Sequence, residues 1–205
     1  MARDYDAIVA YSHDERRAWK SLRACLYELD DNIKWPAIEA IGRLMNHWWQ
    51  NGEQKKVREY MRGLFWLLND ESGGIGWTSP QQIAEIICQI PELDESYSTM
   101  VIDRTLEEPP LVQGGLWAIG RQGRRLEGRI DNFEGMILNT FGIQDAQTLG
   151  LAAWAAGESR FAPALPYLES LTDRLETVRI FIRGVFLDKP LGVWAEHAIK
   201  QLQSD

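Results

Sequence analysis

A short helical phrase recurs along this chain, each copy ending near a Gly or another small residue. It reads WPAIEAIGRL at 35–44, GGLWAIGRQG at 114–123, LAAWAAGESR at 151–160 and, more faintly, VWAEHAIKQL at 193–202. With Trp117, Trp154 and Trp194 in register, Glu39 holds the equivalent place in the first copy. QQIAEIICQI at 81–90 fits between, with Ala84 near that place. A repeat of roughly 35 to 45 residues built from paired helices is the signature of a stacked-helix solenoid. The expected fold is therefore all-α: a right-handed α-α superhelix of about five helix pairs, forming a single domain over 1–205.

Local signals punctuate the copies. Ser12 with Glu15, and Ser79 with Gln82, have the spacing of a capping box, in which each side chain satisfies a backbone N–H at a helix start. Asp30, Asp31 and Asn32 are expected to end one helix, with Pro36 in the first turn of the next, where a missing N–H costs nothing. Apolar residues then recur at helical spacing through Ile38, Ile41, Leu44, Met45 and Trp48, and again from Val57 to Leu68. Further helices are expected near 124–141, 144–156, 161–170, 173–187 and 190–203. VRIFIRGVF at 178–186 is the one stretch that passes for a strand. A lone strand would leave its backbone groups unpaired, so a buried helix is expected there.

Composition narrows the function classes. The formal charge of −8 disfavours nucleic acid, which needs a clustered basic surface. The best basic cluster, Arg121, Arg124, Arg125 and Arg129, has Glu127 interleaved. Only two cysteines occur, Cys25 and Cys88, each in an apolar helical pattern, so they read as small buried hydrophobes rather than a disulfide framework. The opening residues lack the apolar run of a signal peptide, and no stretch approaches the ~18 apolar residues that span a bilayer. A cytoplasmic protein with no membrane partner is expected.

The phrases WPAIEAIGRL and GGLWAIGRQG, with AAGESRFAPALPYL at 155–168, resemble HEAT-like repeats of the phycobilisome-lyase type. That resemblance implies close helix approach at small residues such as Gly42, Gly120, Ala153 and Gly157. It carries no single activity, because these repeats serve bilin lyases, scaffolds and iron-dependent hydroxylases alike. The hydroxylase relatives need His-Glu pairs as iron ligands. Here His13, His47 and His197 are followed by Asp14, Trp48 and Ala198. The HEAT-like DNA glycosylases need a basic groove, against which the charge argues, and no lyase pattern accompanies the repeats.

NDESGGIGW at 69–77 interrupts the repeat rhythm and is the chief candidate site. It places Asp70 and Glu71 beside a Gly-rich turn and Trp77, directly before a helix whose free N–H groups favour an anion. In a functional loop the acids meet a cationic group and Trp77 forms a cation–π wall. In a structural loop the acids cap N–H groups and Trp77 plugs the core. GGIG lacks the Gly-Lys-Ser/Thr ending of a nucleotide loop. Trp117, Trp154 and Trp194 read either as a ligand platform or, more commonly, as packing between repeats. Of Trp48 and Trp49, one ring is expected inside and the other out. The histidines lack metal-ligand spacing, and Asp103, Glu107 and Glu108 read as a solvated acidic patch.

The expected function is a non-enzymatic scaffold binding a protein or peptide partner, with no cofactor, no metal and no catalytic residues. The alternative is a small-molecule binder or enzyme using Asp70, Glu71 and Trp77; a HEAT-like DNA repair protein comes third. A deep pocket under the 69–77 loop, rather than an open groove, would favour the small molecule. Oligomeric state is left open by the sequence.

Overall fold

The computed structural model describes residues 4–69 and 76–204. Helices dominate: α1 (Tyr5–Asp14), α2 (Arg16–Ala24), α3 (Asp31–Gln50), α4 (Gln54–Leu68), α5 (Ser79–Gln89), α6 (Asp94–Tyr97), α7 (Met100–Thr105), α8 (Val112–Gln122), α9 (Glu134–Thr140), α10 (Ala146–Glu158), α11 (Leu165–Glu169) and α12 (Leu191–Gln203). Between α11 and α12 lies an antiparallel hairpin, β1 (Thr177–Ile182) and β2 (Val185–Pro190).

The recurring phrases form one row. α3 packs on α5, α5 on α8, α8 on α10 and α10 on α12, in chain order. Small residues set how closely they meet. A Cβ on Gly120 would lie 2.5 Å from the Trp154 ring, and one on Gly157 would lie 2.7 Å from the Ala198 backbone. Gly42 faces Glu85 in the same way. Early residues of α5 and α8 touch at Gln81 and Gly114, and late ones at Glu85 and Arg121, so these helices run in the same sense. Trp117, Trp154 and Trp194 are all buried, the packing role expected for them.

Several local expectations fail. The 178–186 stretch is not a helix. Arg183 and Gly184 both take positive φ, 47° and 88°, the backbone of a two-residue hairpin turn, and Ile182 pairs with Val185 across it. The missing partner strand is simply the next segment. Trp117, Trp194 and Gln147 satisfy further backbone groups of β1. Ser12 is buried within α1, and Glu15 caps α2 without a side-chain bond. Asp30 starts α3 rather than ending a helix, accepting from the Asn32 N–H at 2.8 Å, which leaves Pro36 inside α3. At α5 the N-cap is Thr78, whose hydroxyl accepts from the Gln82 amide at 2.9 Å; Ser79 is already helical. The expected 124–141 helix is two 3₁₀ turns followed by α9. Trp48 and Trp49 are both buried.

Candidate functional site

The hairpin turns a row of helices into a cavity. β1 lies on α10, where Val178 would collide with any side chain at Gly150. From there the hairpin reaches back to α3, bringing Gly184 near the Glu39 carboxylate. The starts of α3, α5, α8 and α10 thereby face one cleft of about 740 Å³, walled by the hairpin.

Its floor is aromatic. Trp35 stacks on Phe181 at 5.2 Å and tilts against Trp117 at 4.9 Å; Phe186 meets Phe181 edge-on at 5.0 Å. The Trp117 indole N–H donates to the Phe181 carbonyl at 2.8 Å, which locks the floor to the hairpin. Neutral amides supply much of the polar lining. Gln81, Gln113 and Gln147 each come from the first turn of their helix. Gln113 donates to Asp145 and Thr148, and Gln147 bonds the backbone of Arg179. Tyr27 and Trp77 line the cleft with exposures of 76% and 63%. Leu29 beside them is also exposed.

Carboxylates already occupy the starts of α3 and α10. Asp30 caps α3, and the Asp145 carboxylate accepts from the Thr148 N–H at 2.8 Å and from its hydroxyl at 2.8 Å. The Thr148 hydroxyl, followed by local backbone N–H groups, holds the Asp145 carboxyl below its ordinary range. These carboxylates already offset the partial positive charge that a helix start offers.

Of the sequence-derived site, Trp77 belongs to the cleft, while Asp70 and Glu71 lie outside the described residues. Trp35, Tyr27, Phe181, Phe186 and Arg179 were missed. Trp35 opens the first recurring phrase with no role of its own in the sequence reading, and the Phe residues sit in the 178–186 segment expected to be a helix. A usable signal was present: a Gln lies in the first turn of three neighbouring helices of the row, in SPQQI, LVQGG and DAQTL.

The other candidates resolve as structure. Arg121 pairs with the buried Glu85 at 2.6 Å and Arg129 with Asp94 at 2.9 Å, so half of the basic cluster is already neutralised. Both thiols are free. Burial pushes Cys88 up to about 11, and its S–H donates to the Arg121 carbonyl. His13 and His47 stack edge-on at 4.8 Å, and His13 Nδ1 accepts from the Trp48 indole at 3.0 Å. Among the described residues, no group of three or more His, Cys, Asp or Glu is placed to hold a metal ion. Nor is any helix there long and apolar enough to cross a membrane. Compared with known proteins, the chain matches no family model and no curated sequence.

Proposed function

We propose that this chain is a non-catalytic binding protein of HEAT-like architecture, whose cleft takes a segment of a protein or peptide partner. Five pairings are in keeping with about five helix pairs, α2 with α3, α4 with α5, α7 with α8, α9 with α10 and α11 with α12, which we read as a right-handed superhelix. A cytoplasmic setting, where Cys25 and Cys88 stay reduced, completes the reading.

The observation that carries it is the aromatic rim. Exposed Tyr27, Leu29 and Trp77 line the same cleft as the aromatic floor. Exposed apolar residues grouped at a concave site mark recognition surfaces, and aromatic anchors dominate the energy of such contacts. A small-molecule ligand is the second reading, because the cleft volume falls in the range of roughly 300–1,000 Å³ typical of ligand pockets. A nucleic-acid partner gains no support from Arg121 and Arg129, each held by a carboxylate.

The test is display selection of peptides against the intact chain, followed by affinities for Tyr27→Ala and Trp77→Ala. Both side chains are exposed, so both variants should melt like wild type. Selected peptides are expected to lose at least about tenfold in affinity, since one aromatic anchor is worth ~1.4 kcal/mol or more. Selected peptides that bind both variants unchanged would refute the cleft as the peptide site. Failure to select any peptide, with a metabolite mixture protecting Trp77 from oxidation, would favour the small molecule.

A further inference from the structure

Among the described residues, four charged side chains line the cleft, and three of them have counter-ions. Lys34 and Asp31 pair at 2.7 Å. Arg179 faces Asp188 at 3.7 Å and lies over the Phe186 ring at 4.1 Å. Glu28 is the fourth, and among the described residues its carboxylate makes no ion pair. It follows Tyr27 directly, beyond the 3₁₀ turn Cys25–Tyr27, and both side chains are exposed. Tyr27 and Trp77 stack on no other ring among the described residues, so they bring unoccupied π faces to the same cleft.

We propose that this part of the cleft takes the guanidinium group of an arginine carried on the bound segment; the inference rests on the peptide-binding reading above. A carboxylate with no ion pair, lining the same cleft as two unoccupied aromatic faces, calls for a cation. Arginine fits better than lysine for two physical reasons. Its planar guanidinium is weakly hydrated and stacks on Trp and Tyr rings, whereas an ammonium is a strongly hydrated point charge. Its forked N–H donors also match both oxygens of a carboxylate such as Glu28. The aliphatic stem of the arginine would lie along the apolar lining, the way long cationic side chains ordinarily cover apolar surface.

The experiment titrates ¹⁵N-labelled protein with N-acetyl-arginine amide, N-acetyl-lysine amide and N-acetyl-citrulline amide, the last being a neutral near-isostere of arginine. The Trp77 indole N–H resonance should shift saturably with the arginine compound. Binding should be about tenfold weaker with citrulline, the expected worth of a charge-assisted hydrogen bond. Glu28→Gln should remove the preference for arginine over citrulline while leaving the thermal melt unchanged. No saturable shift with arginine, equal binding of lysine or citrulline, or an unaltered preference in Glu28→Gln would each overturn the proposal. Display-selected peptides separate the two levels. Peptides that need Trp77 but carry no arginine would sink this inference and leave the cleft as a peptide site. Peptides that bind Tyr27→Ala and Trp77→Ala unchanged would sink both.

Discussion

The side chain of Gln147 in α10 acts as a strand partner for Arg179 in β1. Its Nε2 donates to the Arg179 carbonyl at 2.8 Å, and the Arg179 N–H donates to its Oε1 at 3.2 Å. One amide thus closes the outer edge of the hairpin and ties it to the helix row. Gln147→Ala should cost about 1 kcal/mol, two partly solvated hydrogen bonds being worth less than two buried ones. Amide exchange at Arg179 should rise more than elsewhere in β1. Unchanged protection at Arg179 would mean the hairpin is held by Val178, Trp117 and Trp194 alone.

Two glycines in helix interiors should respond in opposite directions. Gly120 has the Trp154 ring 2.5 Å from where a Cβ would stand, so Gly120→Ala forces the ring aside and should destabilise by about 1–3 kcal/mol. Gly63 in α4 is exposed, with nothing within 4 Å of that position. Gly63→Ala should therefore stabilise by roughly 0.5–1 kcal/mol through helix propensity. Denaturant melts of the two variants check both signs.

Trp117→Phe removes the indole N–H that serves the buried Phe181 carbonyl. Losing that hydrogen bond costs about 0.5–1.5 kcal/mol, and the smaller ring leaves space beside Trp154. Stability should fall by at least that much. Binding at the cleft should weaken as well, because the floor and the hairpin are no longer fixed to each other. Calorimetric unfolding, with peptide titration at low temperature, separates the two effects.

Glu176 provides a pH signature. Three contacts from the Arg174 guanidinium, at 2.6, 2.9 and 3.1 Å, lower its carboxyl from the ordinary 4.5 to about 2. A depressed folded-state value means the ion pair contributes fully above pH 4.5 and is lost as pH falls towards 2. A carboxyl-carbon NMR titration should place Glu176 near the lower value in wild type and higher, towards 4.5, in Arg174→Ala, where backbone N–H groups still lower it. The stability difference between the two proteins should vanish at the acid end of that window.

The sequence by itself determined the helical phrases, the small residues at which they meet, and the order in which they stack. Those features are local or repeat at a fixed period, so spacing alone reveals them: Gly120, Trp154 and Gly157 sit where the phrases place them. Boundaries near Asp30 and Thr78 were misplaced because several residues there can cap, and neighbouring helices choose among them. Only the tertiary structure decided the fate of VRIFIRGVF, whose apolar residues suit a buried helix as well as a strand. What selects the hairpin is the positive φ of Arg183 and Gly184 together with Gly150, Trp117, Gln147 and Trp194, partners that belong to three different helices. The cleft depends on that choice. Tyr27 and Trp35 are far in the chain from Trp77 and from Phe181, and all four line one cavity because the helix starts converge and the hairpin walls it.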